Sequence, residues 1–144
     1  MGNTFALLTI RILLSANLLY AAIFLKFAGV PASVALFTQM SQAFHGVISQ
    51  PVFRLASGAF ETTVAVLLLI PKTARLGAGL TVMWTTSVIL SHIFVLGYGW
   101  FFVDAVTVML VAVMYLLLTL RQSHVPGVGG QSIGFRRPSS PKAV

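Results

Sequence analysis

Four apolar segments, each about the length of a bilayer crossing, fill most of this chain and restrict what it can fold into. They cover residues 6–27, 54–70, 74–96 and 101–120. A helix needs about 20 mainly apolar residues to cross the hydrocarbon of a membrane. Lipid offers no hydrogen bonds, so each span has to satisfy its backbone internally. Because the segments are continuous and do not alternate as barrel strands do, the sequence predicts an all-α integral membrane protein with four transmembrane helices.

Composition supports the same class and suggests one domain with a tail. The chain is 58% hydrophobic and only 8% charged, with a mean hydropathy of +0.97. We expect one four-helix domain over residues 1–121. Residues 122–144 are rich in Gly, Pro and Ser and have few apolar side chains, which predicts a flexible basic cytoplasmic tail. The chain has no cysteine, which excludes disulfides and thiolate metal sites.

The basic residues indicate how the helices are oriented. Nine Lys and Arg residues against two acids give a net charge of +7, and in so apolar a chain they are topology signals and not a nucleic-acid interface. If the N-terminus lies on the cytoplasmic side of the membrane, only Lys26 and Arg54 lie toward the outer side. The inside set is Arg11, Lys72, Arg75, Arg121, Arg136, Arg137 and Lys142. This distribution predicts an antiparallel four-helix bundle, both termini cytoplasmic, in the inner (plasma) membrane of a bacterium or archaeon.

The longest connection, between the first and second spans, is predicted to face the outside. Its residues 32–50 are less hydrophobic than the spans. A short amphipathic helix over Ala32–Phe44 would lie on or dip into that surface.

Polar residues inside the spans follow helical spacing. Ionisable side chains in a membrane are costly and usually face the interior of the bundle, and small residues let helices pack closely. Each span carries one such stripe, and we expect the four stripes to converge on one axis. On the fourth span the predicted stripe includes Asp104 and Thr107. The members expected to be structural are Arg11, Thr81, Thr85 and Tyr115.

Five ionisable residues are predicted to cluster in the outer half of the bundle: Lys26, Arg54, Glu61, His92 and Asp104. We expect Lys26 or Arg54 to pair with the two acids. Buried pairs can serve only to fix helix register. Alternatively, the cluster binds a quinone headgroup, with His92 or Lys26 at a carbonyl and a carboxylate carrying the proton. A third alternative is another ligand, such as a lipid or a partner side chain.

The histidines do not suggest a haem or metal site. Haem ligation between helices would prefer two histidines deep on facing helices. Here His92 lies in a span, His45 in a loop and His124 on the opposite side. We therefore expect no metal site and no intrinsic cofactor, with quinone as the one cofactor that the cluster suits.

Several motifs resemble the DoxX family over about residues 8–118. They are Arg11 with Phe24-Leu25-Lys26-Phe27, then Ser57-Gly58-Ala59-Phe60-Glu61 with Ile70-Pro71-Lys72-Thr73-Ala74-Arg75, then Met83 with His92. The resemblance implies a four-helix membrane fold. The family's namesake is a subunit of an archaeal thiosulfate:quinone oxidoreductase, and other members are accessory membrane subunits of redox complexes or have no known role. The recurrent polar residues of the family match Arg11, Lys26, Glu61, Arg75 and His92. Ser15 and Ala22 stand where glycines are common.

These features together predict a small accessory subunit of a membrane redox or electron-transfer complex. It would contact quinone through the outer cluster, have no catalytic activity alone, and pack against other membrane subunits in the lipid bilayer. Two other functions stay open from the sequence. One is a structural scaffold subunit of a larger assembly. The other is a stand-alone small transporter or membrane enzyme acting through the same cluster.

Overall fold

A computed structural model of the chain describes residues 2–123, with side chains described over residues 5–122. Within that range the protein is all-helical and has no strand. The helices are α1 Gly2–Tyr20, α2 Pro31–Ala43, α3 Gln50–Leu69, α4 Ala74–Ser91 and α5 Trp100–Ser123. All but α2 are long and apolar enough to cross a membrane, which confirms the four predicted spans. The predicted tail, apart from its first two residues in α5, lies outside the described residues.

The four long helices pack in a ring in chain order. α1 packs on α3, α3 on α4, α4 on α5, and α5 on α1. The short α2 lies at one end, against α3 and the final turns of α1 and α4; we call this the α2 end. The helix predicted over Ala32–Phe44 is confirmed to within one residue. α3 begins at Gln50, four residues before the predicted start, because Pro51 suits the first turn of a helix.

The last turns of α1 and α4 widen into π-helices. The first π segment is Ala21–Phe27 and the second is His92–Leu96. Their closing bonds run five residues back, from Ala28 N–H to the carbonyl of Ile23 at 2.9 Å and from Gly97 N–H to the carbonyl of His92 at 2.8 Å. Gly29 and Gly97, with φ of 65° and 75°, then turn the chain with a conformation that favours glycine. Each π segment contains one buried ionisable residue, Lys26 or His92.

An apolar core lies between the four long helices, mostly in the half of the bundle away from α2. It consists of Leu14, Leu18, Val64, Ala65, Leu68, Ala74, Ala78, Val108, Ala112 and Tyr115. Thr81, Thr85 and Tyr115 are at most 4% exposed, which confirms that their stripes face inward. The prediction for Thr107 was wrong, because this side chain is exposed. Asp104 lies at the edge of the face of α5 that points into the bundle. The residue three positions later, Thr107, therefore points out of the bundle.

Arg11 ties α1 to the end of α3. Pro71 pushes Ile70 into an extended conformation, with ψ of 118°, and so ends the helix. The last carbonyls of a helix have no intrahelical donor. Here Arg11 Nε donates to the carbonyl of Leu68 at 2.8 Å, and the same guanidinium donates to that of Leu69. The Thr73 hydroxyl donates to Leu67 O at 2.9 Å. Arg11 therefore caps the end of α3 from α1.

Replacing Arg11 with methionine is expected to lower the free energy of unfolding by about 1–2 kcal/mol, because two helix-end carbonyls lose their donor. Arg121→Met makes the same chemical change at an exposed position of α5 and should stay within about 0.5 kcal/mol of the parent. Denaturant unfolding in mixed micelles measures both. Equal losses in the two variants would contradict the capping role of Arg11.

Candidate functional site

A buried ion pair joins the first π segment to the middle of α3. Lys26 Nζ and the Glu61 carboxylate form a salt bridge, and the two residues are only 8% and 4% exposed. Trp84 Nε1 donates to the same carboxylate oxygen, Oε1, at 2.8 Å. The ammonium also lies 5.5 Å from the centroid of the Trp84 ring, within cation–π range. The predicted pairing of Lys26 with Glu61 is confirmed.

The second oxygen of this carboxylate has a different environment. Glu61 Oε2 is buried and has no hydrogen-bond partner among the described residues. An ionised carboxylate can accept at both oxygens, and an unmet buried acceptor is costly. The pair therefore leaves one strong acceptor unused in the interior of the bundle.

Among the described residues Asp104 does not pair with a base, so that part of the prediction was wrong. Its Oδ1 accepts a hydrogen bond from Asn17 Nδ2 at 3.1 Å, which links α5 to α1. The physical reason is that the buried cation of α1, Lys26, is already engaged by Glu61. A neutral amide on the α5 side of α1 therefore contacts the aspartate.

Arg54 was the alternative base in that prediction, and among the described residues it forms no salt bridge with an acid. Its guanidinium lies beside Gly29, where an added Cβ would be 3.1 Å from Nη1. Nε and Nη1 are buried without a partner in the described part of the chain. Arg54 lies almost two turns before Glu61 on α3, at the α2 end, so it is positioned under the link after the first π segment and away from the ion pair.

His92 is buried, 4% exposed, at the start of the second π segment. Its Nδ1 is 2.9 Å from the carbonyl of Gly97, and its ring makes an edge contact with Phe102 at 6.1 Å. Across the described residues no group of three His, Cys, Asp or Glu side chains could hold a metal ion. His45, in the loop after α2, is not part of the site.

These side chains meet around a cavity of about 330 Å³ at the α2 end. All four long helices and α2 contribute to its wall, which is mostly apolar and aromatic. Of the five predicted site residues, Lys26, Glu61, His92 and Asp104 line it and Arg54 does not. α2 covers the cavity with Ser33, Phe37 and Met40, and the Phe37 ring packs on Phe53 at 5.5 Å.

Sequence reasoning missed several polar members of this wall, among them Asn17 and Trp84. Asn17 carries a lone amide within a span, which is itself a signal of an inward or functional position. Trp84 lies one residue before Thr85 on α4 and looks lipid-facing by spacing alone. Only the packing of α3 against α4 brings its indole N–H to Glu61.

Searches of protein-family models, curated proteins and solved structures each find no match to this chain.

Proposed function

We propose that this protein is a small integral membrane subunit of a redox or electron-transfer complex, and that it binds a quinone headgroup in the cavity at the α2 end. The observation that carries the proposal is the composition of the cavity wall. Small-molecule sites are typically cavities of about 300–1,000 Å³ with mainly apolar walls and a few convergent polar groups. A volume of about 330 Å³ with an ion pair, a carboxylate and a histidine fits that description.

A quinone suits this site better than a water-soluble ligand does. The wall is apolar and aromatic over most of its area, and the helices that form it are long and apolar enough to lie in lipid. A ligand that reaches such a cavity from the bilayer has to be lipid-soluble. Donors in the wall, such as the Lys26 ammonium and the Asn17 amide, then supply hydrogen bonds to the oxygens of a ring.

The redox assignment is supported by the resemblance to the DoxX family, to which we propose the chain belongs. Lys26, Glu61 and His92 are three of the positions that match the recurrent polar residues of that family. All three line the same cavity, although they lie on different helices. The partner subunits that would exchange electrons with the quinone pack, in this proposal, against the exposed apolar faces of the bundle.

The proposed orientation is an antiparallel bundle in a bacterial or archaeal inner membrane with both termini in the cytoplasm. Contacts that run in opposite directions along α1 and α3 support it: Arg11 bonds Leu68 O, Ser15 bonds Ala65 O, and Lys26 bonds Glu61. The excess of Lys and Arg on the side of the Pro71 turn supports cytoplasmic termini. The cavity then lies in the outer leaflet.

Purification in mild detergent tests the quinone site. The protein is expected to retain quinone that solvent extraction and chromatography can quantify. Ala105→Phe should abolish retention, because Ala105 is 6% exposed and lines the cavity, so that the new ring fills it. Val103→Phe adds the same ring at a position 53% exposed on the same helix and should leave retention unchanged. Equal quinone content in the two variants would contradict the proposed location.

Native mass spectrometry of the protein released from its own membrane tests the subunit assignment. We expect a discrete heavier complex that contains redox proteins. A lone protein or a small homo-oligomer would contradict the accessory-subunit proposal and leave only a ligand site to explain.

A further inference from the structure

We propose that the cavity selects the reduced, hydroxyl-bearing form of its ring ligand, a hydroquinone, over the quinone. The inference rests on the proposed function and adds the redox state that the site recognises. A quinone offers two carbonyl oxygens, which only accept hydrogen bonds. A hydroquinone offers two hydroxyl groups, each of which donates one bond and also accepts. Which of the two forms binds more tightly therefore depends on whether the free hydrogen-bonding groups of the wall are donors or acceptors.

Four of the five hydroxyl groups of the wall have already used their donors, and the fifth, Ser33 on α2, forms no hydrogen bond with the described residues and can donate or accept. Each of the four donates to a carbonyl about one turn back on its own helix, which leaves only acceptor lone pairs toward the cavity. The bonds are Ser57 to Phe53 O at 2.8 Å, Thr85 to Thr81 O at 2.8 Å, Ser87 to Trp84 O at 2.7 Å and Ser91 to Ser87 O at 2.8 Å.

Two of the three ring nitrogens of the wall are also committed. The indole N–H of Trp84 donates to Glu61. His92 Nδ1 faces the carbonyl of Gly97, and a carbonyl can only accept, so this nitrogen carries the proton. In the neutral ring Nε2 is then an acceptor, and it is the one ring nitrogen that is free for a ligand.

The two carboxylates complete an acceptor-rich wall. Asp104 Oδ1 accepts a hydrogen bond from the Asn17 amide, and Glu61 Oε2 has no donor in the described part of the chain. The terminal torsion of a glutamate is soft, so a small rotation of the carboxylate presents Oε2 to the cavity. Lys26 and Asn17 keep spare N–H groups. One phenolic hydroxyl can thus donate a hydrogen bond to Glu61 and accept one from Lys26. A quinone carbonyl can accept the bond from Lys26 but has no hydrogen to donate to Glu61.

A competition experiment tests the preference on the unmodified protein. Detergent-purified protein is equilibrated without oxygen with equal amounts of a short-chain benzoquinone and its benzoquinol, and the bound fraction is extracted and compared with protein-free micelles. We expect the quinol to bind roughly tenfold more tightly, the effect of one charge-assisted hydrogen bond. The dimethyl ether of the quinol, which has the oxygens without the donors, should bind no better than the quinone.

Glu61→Gln supplies a second readout, because the amide replaces an acceptor with a donor while it keeps an oxygen for Lys26 and Trp84. The ratio of quinol to quinone bound should fall roughly tenfold. If unmodified protein binds quinone as tightly as quinol, or the dimethyl ether as tightly as quinol, the donor preference is overturned and the quinone site stands. If neither quinol nor quinone binds, the proposed function fails with it.

Discussion

Glu61→Ala is expected to destabilise the protein by about 3–5 kcal/mol, the cost of leaving a buried charge without its partner. Lys26 is 8% exposed, and its ammonium contacts the Glu61 carboxylate and the face of the Trp84 ring. The loss should appear as a lower unfolding midpoint in denaturing detergent. It should also appear as a smaller yield of protein that survives extraction in mild detergent.

The double variant Lys26→Met with Glu61→Leu distinguishes the effect of an unpaired buried charge on stability from the effect of lost packing. Replacing both partners of a buried ion pair with apolar residues of similar volume is often neutral or stabilising. We therefore expect the double variant to recover most of the stability that Glu61→Ala loses. Lys72→Met, which removes an exposed lysine from the turn between α3 and α4, should change stability by at most about 0.5 kcal/mol. A double variant as unstable as Glu61→Ala would show that the unpaired charge of Lys26 is not the cause of the loss.

The spans and their inward stripes could be predicted from the sequence because both depend on periodicity. Apolar length alone defines a membrane helix, and helical spacing from Arg11, Glu61 or Thr81 indicates which face is buried. Thr107 shows where spacing fails. A stripe counted from Asp104 starts at the edge of the buried face, so its next member points toward lipid.

The pairing of the charges could be predicted only in part. Position on one helix face and similar depth limited the candidates to Lys26 or Arg54 as the base and Glu61 and Asp104 as the acids. These criteria did not distinguish Arg54 from Lys26 or reveal that Asn17 contacts Asp104. Those choices depend on how far each helix is rotated about its axis, and the two π segments change that rotation near Lys26 and His92. Gly29 and Gly97, one or two residues after the segments, are their only local signal.

Packing between α3 and α4 gives the second large expected effect. Gly77 lies where these helices approach most closely: an added Cβ would be 2.8 Å from the backbone nitrogen of Leu68 and 3.1 Å from the carbonyl carbon of Leu67. Backbone atoms cannot move aside as the end of a flexible side chain can. Gly77→Ala therefore has to separate the two helices. Overpacking of this kind typically costs about 1–3 kcal/mol.

Gly79, two residues further along α4, is the matched control for Gly77. Nothing lies within 4 Å of the Cβ that alanine would add there, and alanine is favoured over glycine in a helix by about 1 kcal/mol. The two single-methyl changes on one helix should thus have opposite signs, with unfolding free energies that differ by roughly 2–4 kcal/mol. Because Trp84 reaches Glu61 from α4, Gly77→Ala should also weaken retention of quinone, whereas Gly79→Ala should not. Equal stability of the two variants would mean that α3 and α4 do not need this close approach, and the link between helix packing and the cavity would have to be abandoned.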